Sequence, residues 1–242
     1  RIEDIDHTRC KQEFTESILS DLKWLGIEYS DDIWFQSKKR NGYAKALEKL
    51  NSLGLTYPCY CTRKDIQEQV ENSTKSYQGP EGVLYPLTCR EETIIKGTLS
   101  AIRLNIEKTI IYLKKRGSWP LYFWDQTKGK VKAEPEKLGD VVLARRDIQT
   151  SYHLAVTLDD HLQNISHVVR GSDLFTGTHI HRTLQALLDL KTPKYIHHKL
   201  LISPEQTKLS KSKYSPSIKS YREKGGSLKS ILKKVQLAQK IY

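Results

Sequence analysis

Apolar residues recur at helical spacing early in the chain. Phe14, Ile18, Leu22 and Leu25 form one stripe between about residues 9 and 25, with Gly26 as a left-handed stop. A second stripe, Tyr43, Leu47 and Leu50, predicts a helix over 39–53 that Gly54 ends. From residue 57 to about residue 138 the pattern breaks. Pro58, Pro80, Pro86, Pro120 and Pro135 cut the chain into short pieces, which reads as an insertion with its own local organisation. Within it, "LYFWDQTKGKVKAE" predicts a hairpin around Lys128 and Gly129. Regular structure then returns: "DVVLAR" (140–145) and "HVVRG" (167–171) read as strands, and Ile180, Leu184, Leu187 and Leu188 stripe a helix. "YIHHKLLIS" reads as a further strand. Strands alternating with helices predict an α/β fold with a mostly parallel sheet. Such sheets bind ligands at the carboxyl ends of their strands, and "VVRG" before "SDLF" and "LLIS" before a lysine-rich loop put polar groups there.

Composition adds a direction. The 242 residues are 38% hydrophobic and 28% charged, an ordinary globular balance. No apolar run approaches the roughly 20 residues of a membrane span, and "RIEDIDHTR" is no signal peptide. The net charge of +12 is concentrated at the end: residues 205–242 hold nine Lys and one Arg against two Glu. Such a tail suits a polyanion such as nucleic acid, or else is a solvated lysine-rich face. Four cysteines are too few for a disulfide scaffold and are expected to be reduced thiols in a cytoplasm. The chain has no Met, and "RIEDID" reads as the end of a buried strand entering a polar loop. An upstream piece is therefore expected to be missing.

Five places carry candidate chemistry. Cys59, Cys61 and Cys89 could make a tetrahedral zinc site with a fourth donor, for which Tyr85, Tyr77, a carboxylate or water are open. A proline-broken segment with little core of its own gains from such a clip. Glu3, Asp4 and Asp6 could hold an ammonium group or a ribose, or could cap the following helix. Tyr152 and the pair Asp159 and Asp160 sit on a helix-like run, where adjacent acids point to different faces. Arg170 ends an apolar strand and needs an anionic partner, either an internal carboxylate or a ligand carboxylate held bidentately. "KLSKS", with Lys208 and Lys211, lacks the glycine framing of a P-loop; it is a solvated turn, or two ammonium groups that close over phosphates.

Taken in order, these pieces resemble the class I aminoacyl-tRNA synthetases of the glutamyl type. "RIEDID" resembles the segment after the first sheet crossover, "CYC" with "YPLTC" the zinc module, "YHLAVTLDDHLQNISHVVRGSDL" the second half-sheet, and "KLSKS" the KMSKS loop with Leu209 in place of Met. About thirty residues follow Ser212, too few for an anticodon-binding domain. In this the chain is similar to the shortened paralogues that glutamylate queuosine in tRNA(Asp).

The resemblance implies a Rossmann-type parallel sheet split by a zinc-binding insertion, with a basic C-terminal segment. The first Rossmann half would be 1–56, the insertion 57–138, the second half 139–205, and the loop with its basic helical tail 206–242. It implies ATP-dependent activation of L-glutamate and transfer to queuosine in tRNA(Asp), with Mg²⁺ on the ATP; a monomer is the default expectation. Glu3, Tyr152 and Arg170 would contact glutamate, Lys211 would contact ATP, and Lys211 with Lys208 would neutralise phosphate charge. Zn²⁺ would sit on Cys59, Cys61, Tyr85 and Cys89, although the stretch from Cys61 to Tyr85 is longer than is usual there. The family's HIGH-like signature is absent from the sequence, so these residues alone are expected to be weakly active or inactive. A glutamyl-tRNA synthetase truncated at both ends and a silent tRNA-binding relative are the rivals.

Overall fold

The computed structural model describes residues 1–95, 97–200 and 217–240. Lys208 and Lys211 lie outside the described residues. The chain divides into two compact units, one of Arg1–Ser37, Gly171–Asp173 and His198–Tyr242, the other of Lys38–Arg170 and Leu174–His197.

In the smaller unit, helix α1 (Gln12–Trp24) ends at Leu25, and Gly26 follows at φ +71° as the apolar stripe predicts. Ile2 bridges Phe35 in parallel, which makes the opening residues strand-like. Helices α7 (Ile218–Glu223) and α8 (Leu228–Lys240) follow, and Arg222 on α7 pairs with Asp21 on α1 at 3.2 Å.

The larger unit opens with α2 (Arg40–Ser52), which buries Tyr43, Ala46 and Leu50 and is followed by Gly54 at φ +67°. Strands β1 (Thr56–Cys59), β4 (Ala101–Leu104) and β7 (Val142–Ala144) form an antiparallel sheet in the order β1-β4-β7. Between β1 and β4 lie helix α3 (Arg63–Glu71) and a short hairpin, β2 (Gln78–Gly79) with β3 (Gly82–Val83). Helix α4 (Ile106–Lys115) is capped by Asn105, whose side chain accepts from the Lys108 N–H at 2.9 Å. Strands β5 (Tyr122–Asp125), β6 (Gly129–Lys132), β8 (His167–Gly171) and β9 (Lys194–His198) form a second sheet, ordered β6-β5-β9-β8. Helices α5 (Tyr152–Leu162) and α6 (Gly177–Leu188) pack with α2 around buried Leu50, Leu154, Ile180, Leu184 and Leu187.

One expectation is corrected and another extended. The segment 140–145 is not a strand of a parallel sheet: β7 pairs antiparallel with β4. A three-residue apolar strand carries no periodic signal that says which sheet it joins. The hairpin around Gly129 forms, with Asp125 opposite Gly129, but β5 also pairs in parallel with β9 through Asp125 and Tyr195. Where register is given, that pair is the parallel one between named strands; the fold is a mixed α/β arrangement. Among the described residues no helix is long and apolar enough to cross a membrane.

Candidate active site and metal centre

The cysteine cluster is built by local signals. Strand β1 ends at Cys59, and three residues on Thr62 opens α3 with a reciprocal capping box: Thr62 accepts from the Asp65 N–H at 3.2 Å and Asp65 from the Thr62 N–H at 2.7 Å. That cap fixes the chain as it leaves Cys61. The second limb, "YPLTC", turns through Leu87 at φ +67°, a left-handed conformation that costs a residue with a Cβ about 1–2 kcal/mol. The turn brings Tyr85 and Cys89 together, so that the Tyr85 oxygen accepts from the Cys89 N–H at 2.9 Å.

The three thiols lie within 4.8 Å of one another, with Cys61 Sγ and Cys89 Sγ 3.5 Å apart. Tyr85 Oη is 3.4 Å from Cys59 Sγ and 3.6 Å from Cys61 Sγ. Zinc–sulfur bonds of about 2.3 Å in a tetrahedron need sulfurs about 3.8 Å apart, so this spacing fits a metal ion. Of the candidate fourth donors, Tyr85 is the one placed against the thiols. The Arg103 guanidinium lies 3.7 Å above the centre of its ring. Burial pushes the Cys61 thiol up to about 11 and holds the Tyr85 hydroxyl above its ordinary range. At Cys89 burial acts the same way, but hydrogen bonds led by Tyr85 outweigh it and bring the thiol below its ordinary value. Ile66, Leu87 and Ala101 pack around the group.

The cluster is anchored by Asp140, which is 1% exposed. Its carboxylate accepts from Tyr57 Oη at 2.7 Å, Arg90 Nε at 2.8 Å, Arg90 Nη2 at 3.1 Å and the Ile106 N–H at 3.0 Å. Tyr57 is two residues before Cys59, and Arg90 follows Cys89.

A second polar cluster surrounds Arg170, the penultimate residue of β8. Its guanidinium donates to His197 Nε2 at 3.1 Å, Tyr152 Oη at 3.3 Å and Thr178 Oγ1 at 2.6 Å, and its Nη1 lies 3.2 Å from His181 Nδ1. Tyr152 is the first residue of α5, after the cap Ser151, whose hydroxyl accepts from the Leu154 N–H. Thr178 and His181, three apart, lie on one face of the first turns of α6. Of the two partners foreseen from sequence, the internal carboxylate is not found: among the described residues none lies within ion-pair distance of Arg170. Burial raises the carboxyl of Glu81, in the β2–β3 turn, against the pull of Arg170 and the Gly177 N–H. A cleft of about 300 Å³ is lined by Glu81, Leu84, Tyr85, Arg103 and His153.

Comparison with known proteins agrees with these motifs. The family model for class I tRNA synthetases (E and Q), catalytic domain, matches residues 1–238. The chain belongs to this family. It is therefore an enzyme of the ligase class, of the aminoacyl-tRNA synthetase type. A Rhodobacter capsulatus protein named Glutamyl-Q tRNA(Asp) synthetase is 38% identical over 238 residues, covering 94% of this chain and 83% of that protein. A Glutamate–tRNA ligase of Hydrogenobaculum is 33% identical over 225 residues, covering 93% of this chain and 47% of the ligase. The crystal structure of a glutamate–tRNA synthetase from Elizabethkingia anophelis superposes with a TM-score of 0.65 at 23% identity, over 89% of this chain and 46% of that one, which shows the shared synthetase fold.

The acidic opening resolves into separate roles. Glu3 pairs with Arg1 at 3.3 Å, and Asp4 accepts from the Ser37 N–H at 2.8 Å and its hydroxyl at 2.6 Å. Asp6 accepts from the Thr8 hydroxyl at 2.6 Å and closes the turn before α1. None of them caps α1, whose N-cap is Lys11. Asp159 is a buried acceptor for Tyr43 Oη at 3.0 and 2.9 Å, which accounts for half of the paired acids as packing. Sequence reading missed Asp125, Thr178, His181 and His197. The available signal was "YIHH", which puts a histidine at the carboxyl end of a strand next to Arg170's.

Proposed function

We propose that the protein activates L-glutamate with ATP and transfers the glutamyl group to the queuosine base in the anticodon of tRNA(Asp). The observation that carries this reading is Arg170: a half-buried guanidinium at a strand end, held by four neutral side chains and, among the described residues, with no carboxylate within ion-pair distance. Such a cation is suited to grip the side-chain carboxylate of glutamate in two parallel hydrogen bonds. Glutamine offers no matching charge and is rejected. Tyr152 and Glu3 complete the amino-acid contacts in this reading. The α-carboxylate of glutamate attacks the α-phosphate of ATP, forming glutamyl-adenylate as pyrophosphate leaves, so the substrate is the nucleophile. Catalysis is then positioning and charge neutralisation, supplied by Lys211 with Lys208 and by Mg²⁺ on the ATP.

Zn²⁺ belongs on Cys59, Cys61, Cys89 and Tyr85, where the donor set and its spacing fit. When bound it supplies a structural clip and favours the thiolate and phenolate forms of its ligands. The greater identity to a relative named Glutamyl-Q tRNA(Asp) synthetase, 38% against 33% to a Glutamate–tRNA ligase, supports the queuosine reading.

The test is glutamate-dependent ATP–pyrophosphate exchange by the full-length protein, followed by transfer of labelled glutamate. Exchange without tRNA and labelling of queuosine-containing tRNA(Asp) are expected, with exchange cut in Lys211→Ala while the fold stays intact. Labelling of tRNA(Glu) instead would establish the glutamate–tRNA ligase, and no exchange under any condition would leave a silent tRNA-binding relative.

A further inference from the structure

The groups around Arg170 form a chain that crosses three neighbouring strands and ends on a helix. Asp125 closes β5, His197 lies one residue from the end of β9, and Arg170 lies one residue from the end of β8. Asp125 Oδ2 lies 2.5 Å from His197 Nδ1, and His197 Nε2 accepts from Arg170 Nε at 3.1 Å. On the other side Arg170 Nη1 reaches His181 Nδ1 at 3.2 Å, and His181 Nε2 lies 3.1 Å from His153 Nδ1.

The proton positions follow from the chemistry of the groups. Arginine donates and never accepts, so His197 Nε2 and His181 Nδ1 must present lone pairs. His197 then carries its proton on Nδ1 and gives it to Asp125; His181 carries its proton on Nε2 and gives it to His153. Asp125 is fixed through its other oxygen, which accepts from the Thr127 N–H at 2.9 Å, the Thr127 hydroxyl at 2.5 Å and the Lys128 N–H at 3.1 Å. The His197 ring cannot turn freely, because Tyr195 stacks on it at 6.0 Å and Phe175 meets it edge-on at 5.1 Å.

We infer that Asp125, His197 and His181 are positioning residues: Asp125 locks His197 in its Nδ1–H form, and the two neutral imidazoles orient the Arg170 guanidinium while leaving its charge for a ligand carboxylate. The last clause rests on the reading of Arg170 as the glutamate-binding cation. A protonated ring at either position would set N–H against N–H. The surroundings oppose that state: burial, Arg170 and Lys128 lower His197 against the pull of Asp125, and burial with His153, Arg170 and His197 takes His181 well below its ordinary value.

Asp125→Asn tests the relay with almost no change of shape. The amide oxygen can keep the contacts with Thr127 and Lys128, while the amide NH₂ replaces the oxygen that faces His197 Nδ1. The ring must then move its proton to Nε2, where it opposes Arg170 Nε–H, or leave two donors facing each other. Long-range ¹H–¹⁵N spectra of the wild-type chain at pH 7 are expected to show His197 neutral with Nε2 unprotonated. In Asp125→Asn the Nε2–H form is expected to replace it. Affinity for L-glutamate is expected to fall by about tenfold to a hundredfold, the loss of one hydrogen bond to a charged group, with ATP affinity unchanged. His197 found protonated on Nε2 in the wild type would overturn the inference without any variant, and so would a folded Asp125→Asn that binds L-glutamate as the wild type does. A wild type that shows the Nδ1–H form yet binds no L-glutamate would support the relay and overturn the glutamate reading instead.

Discussion

Replacing Asp140 by Asn tests whether the metal module is organised by the protein before any metal arrives. The carboxylate meets four donors, two on each side: Tyr57 Oη and Arg90 Nε at one oxygen, Arg90 Nη2 and the Ile106 N–H at the other. An asparagine keeps one oxygen and presents NH₂ at the other position. If the NH₂ faces Ile106, two Arg90 and backbone donors lose their acceptor. If it faces Tyr57, the phenol can turn to accept, but Arg90 Nε cannot. Either way at least one arginine N–H is orphaned and a buried charge pair is broken. Removing one partner of such a pair costs about 3–5 kcal/mol. Arg90 is only partly buried, with 20% of its side chain exposed, and it keeps Glu107 at 2.6 Å. The expected loss is therefore about 2–4 kcal/mol, a fall in Tm of roughly 4–16 °C for a chain of this size.

The same substitution should weaken zinc without touching a ligand, by about tenfold or more, because Asp140 ties down the segments that carry Cys59 and Cys89. Thermal unfolding and a competitive zinc titration measure both effects. Glu107→Gln is the control; it removes the exposed half of Arg90's pairing and should cost less than about 1 kcal/mol. An Asp140→Asn protein with Tm within about 2 °C of wild type and zinc affinity within about twofold would refute the reasoning.

Cys89→Ser should abolish stoichiometric zinc by metal analysis, whereas Tyr85→Phe should retain three ligands and bind zinc about tenfold to a hundredfold more weakly. Arg170→Lys keeps the charge but not the planar fork; L-glutamate affinity should fall by at least about tenfold, measured by calorimetry, with zinc content unchanged. Burial, with Arg170, pushes His153 down to about 4 from 6.5, so the folded state binds fewer protons than the unfolded state in that interval. Stability present above pH 6.5 should thus decline as pH falls to 4, by about 3 kcal/mol in all. Urea titrations across that range should show the decline, and His153→Gln should flatten it.

How much of this was legible depended on how local the physics was. The stripes of α1, α2 and α6, and the glycines after the first two, are set by residues three or four apart. The thiol cluster was readable because Cys59 and Cys61 are two residues apart and Cys89 closes on them within the same broken segment. Tyr85 was one donor among several, since spacing does not say which side chain a left-handed turn at Leu87 will aim at the thiols. The sheet partners of β5 and β7 were not readable. Asp125 pairs with Tyr195 seventy residues later in the chain, and nothing in "YFWD" encodes that choice. The surroundings of Arg170 were invisible for the same reason: Asp125, Tyr152, His181 and His197 come from four elements, and none sits in a recognisable spacing with another.

Asp140 and Arg170 show how structure sorts two ions that look alike in sequence, each at an end of a short apolar run. Asp140 is saturated: its charge is matched by Arg90, and every direction of its carboxylate is taken by a donor. It has nothing left to offer a ligand, and its removal is a matter of stability. Arg170 is satisfied in its hydrogen bonds by neutral acceptors but, among the described residues, not in its charge. Nature's cheaper arrangement for a structural arginine would be a carboxylate in place of His197 or His181, since a matched pair limits the desolvation cost. Asp125 is close enough to have filled that place, yet an imidazole stands between it and Arg170. The histidine passes on orientation without cancelling the charge. In the proposed reading, that separation of geometry from charge is what distinguishes an anion-binding site from a salt bridge that holds the fold.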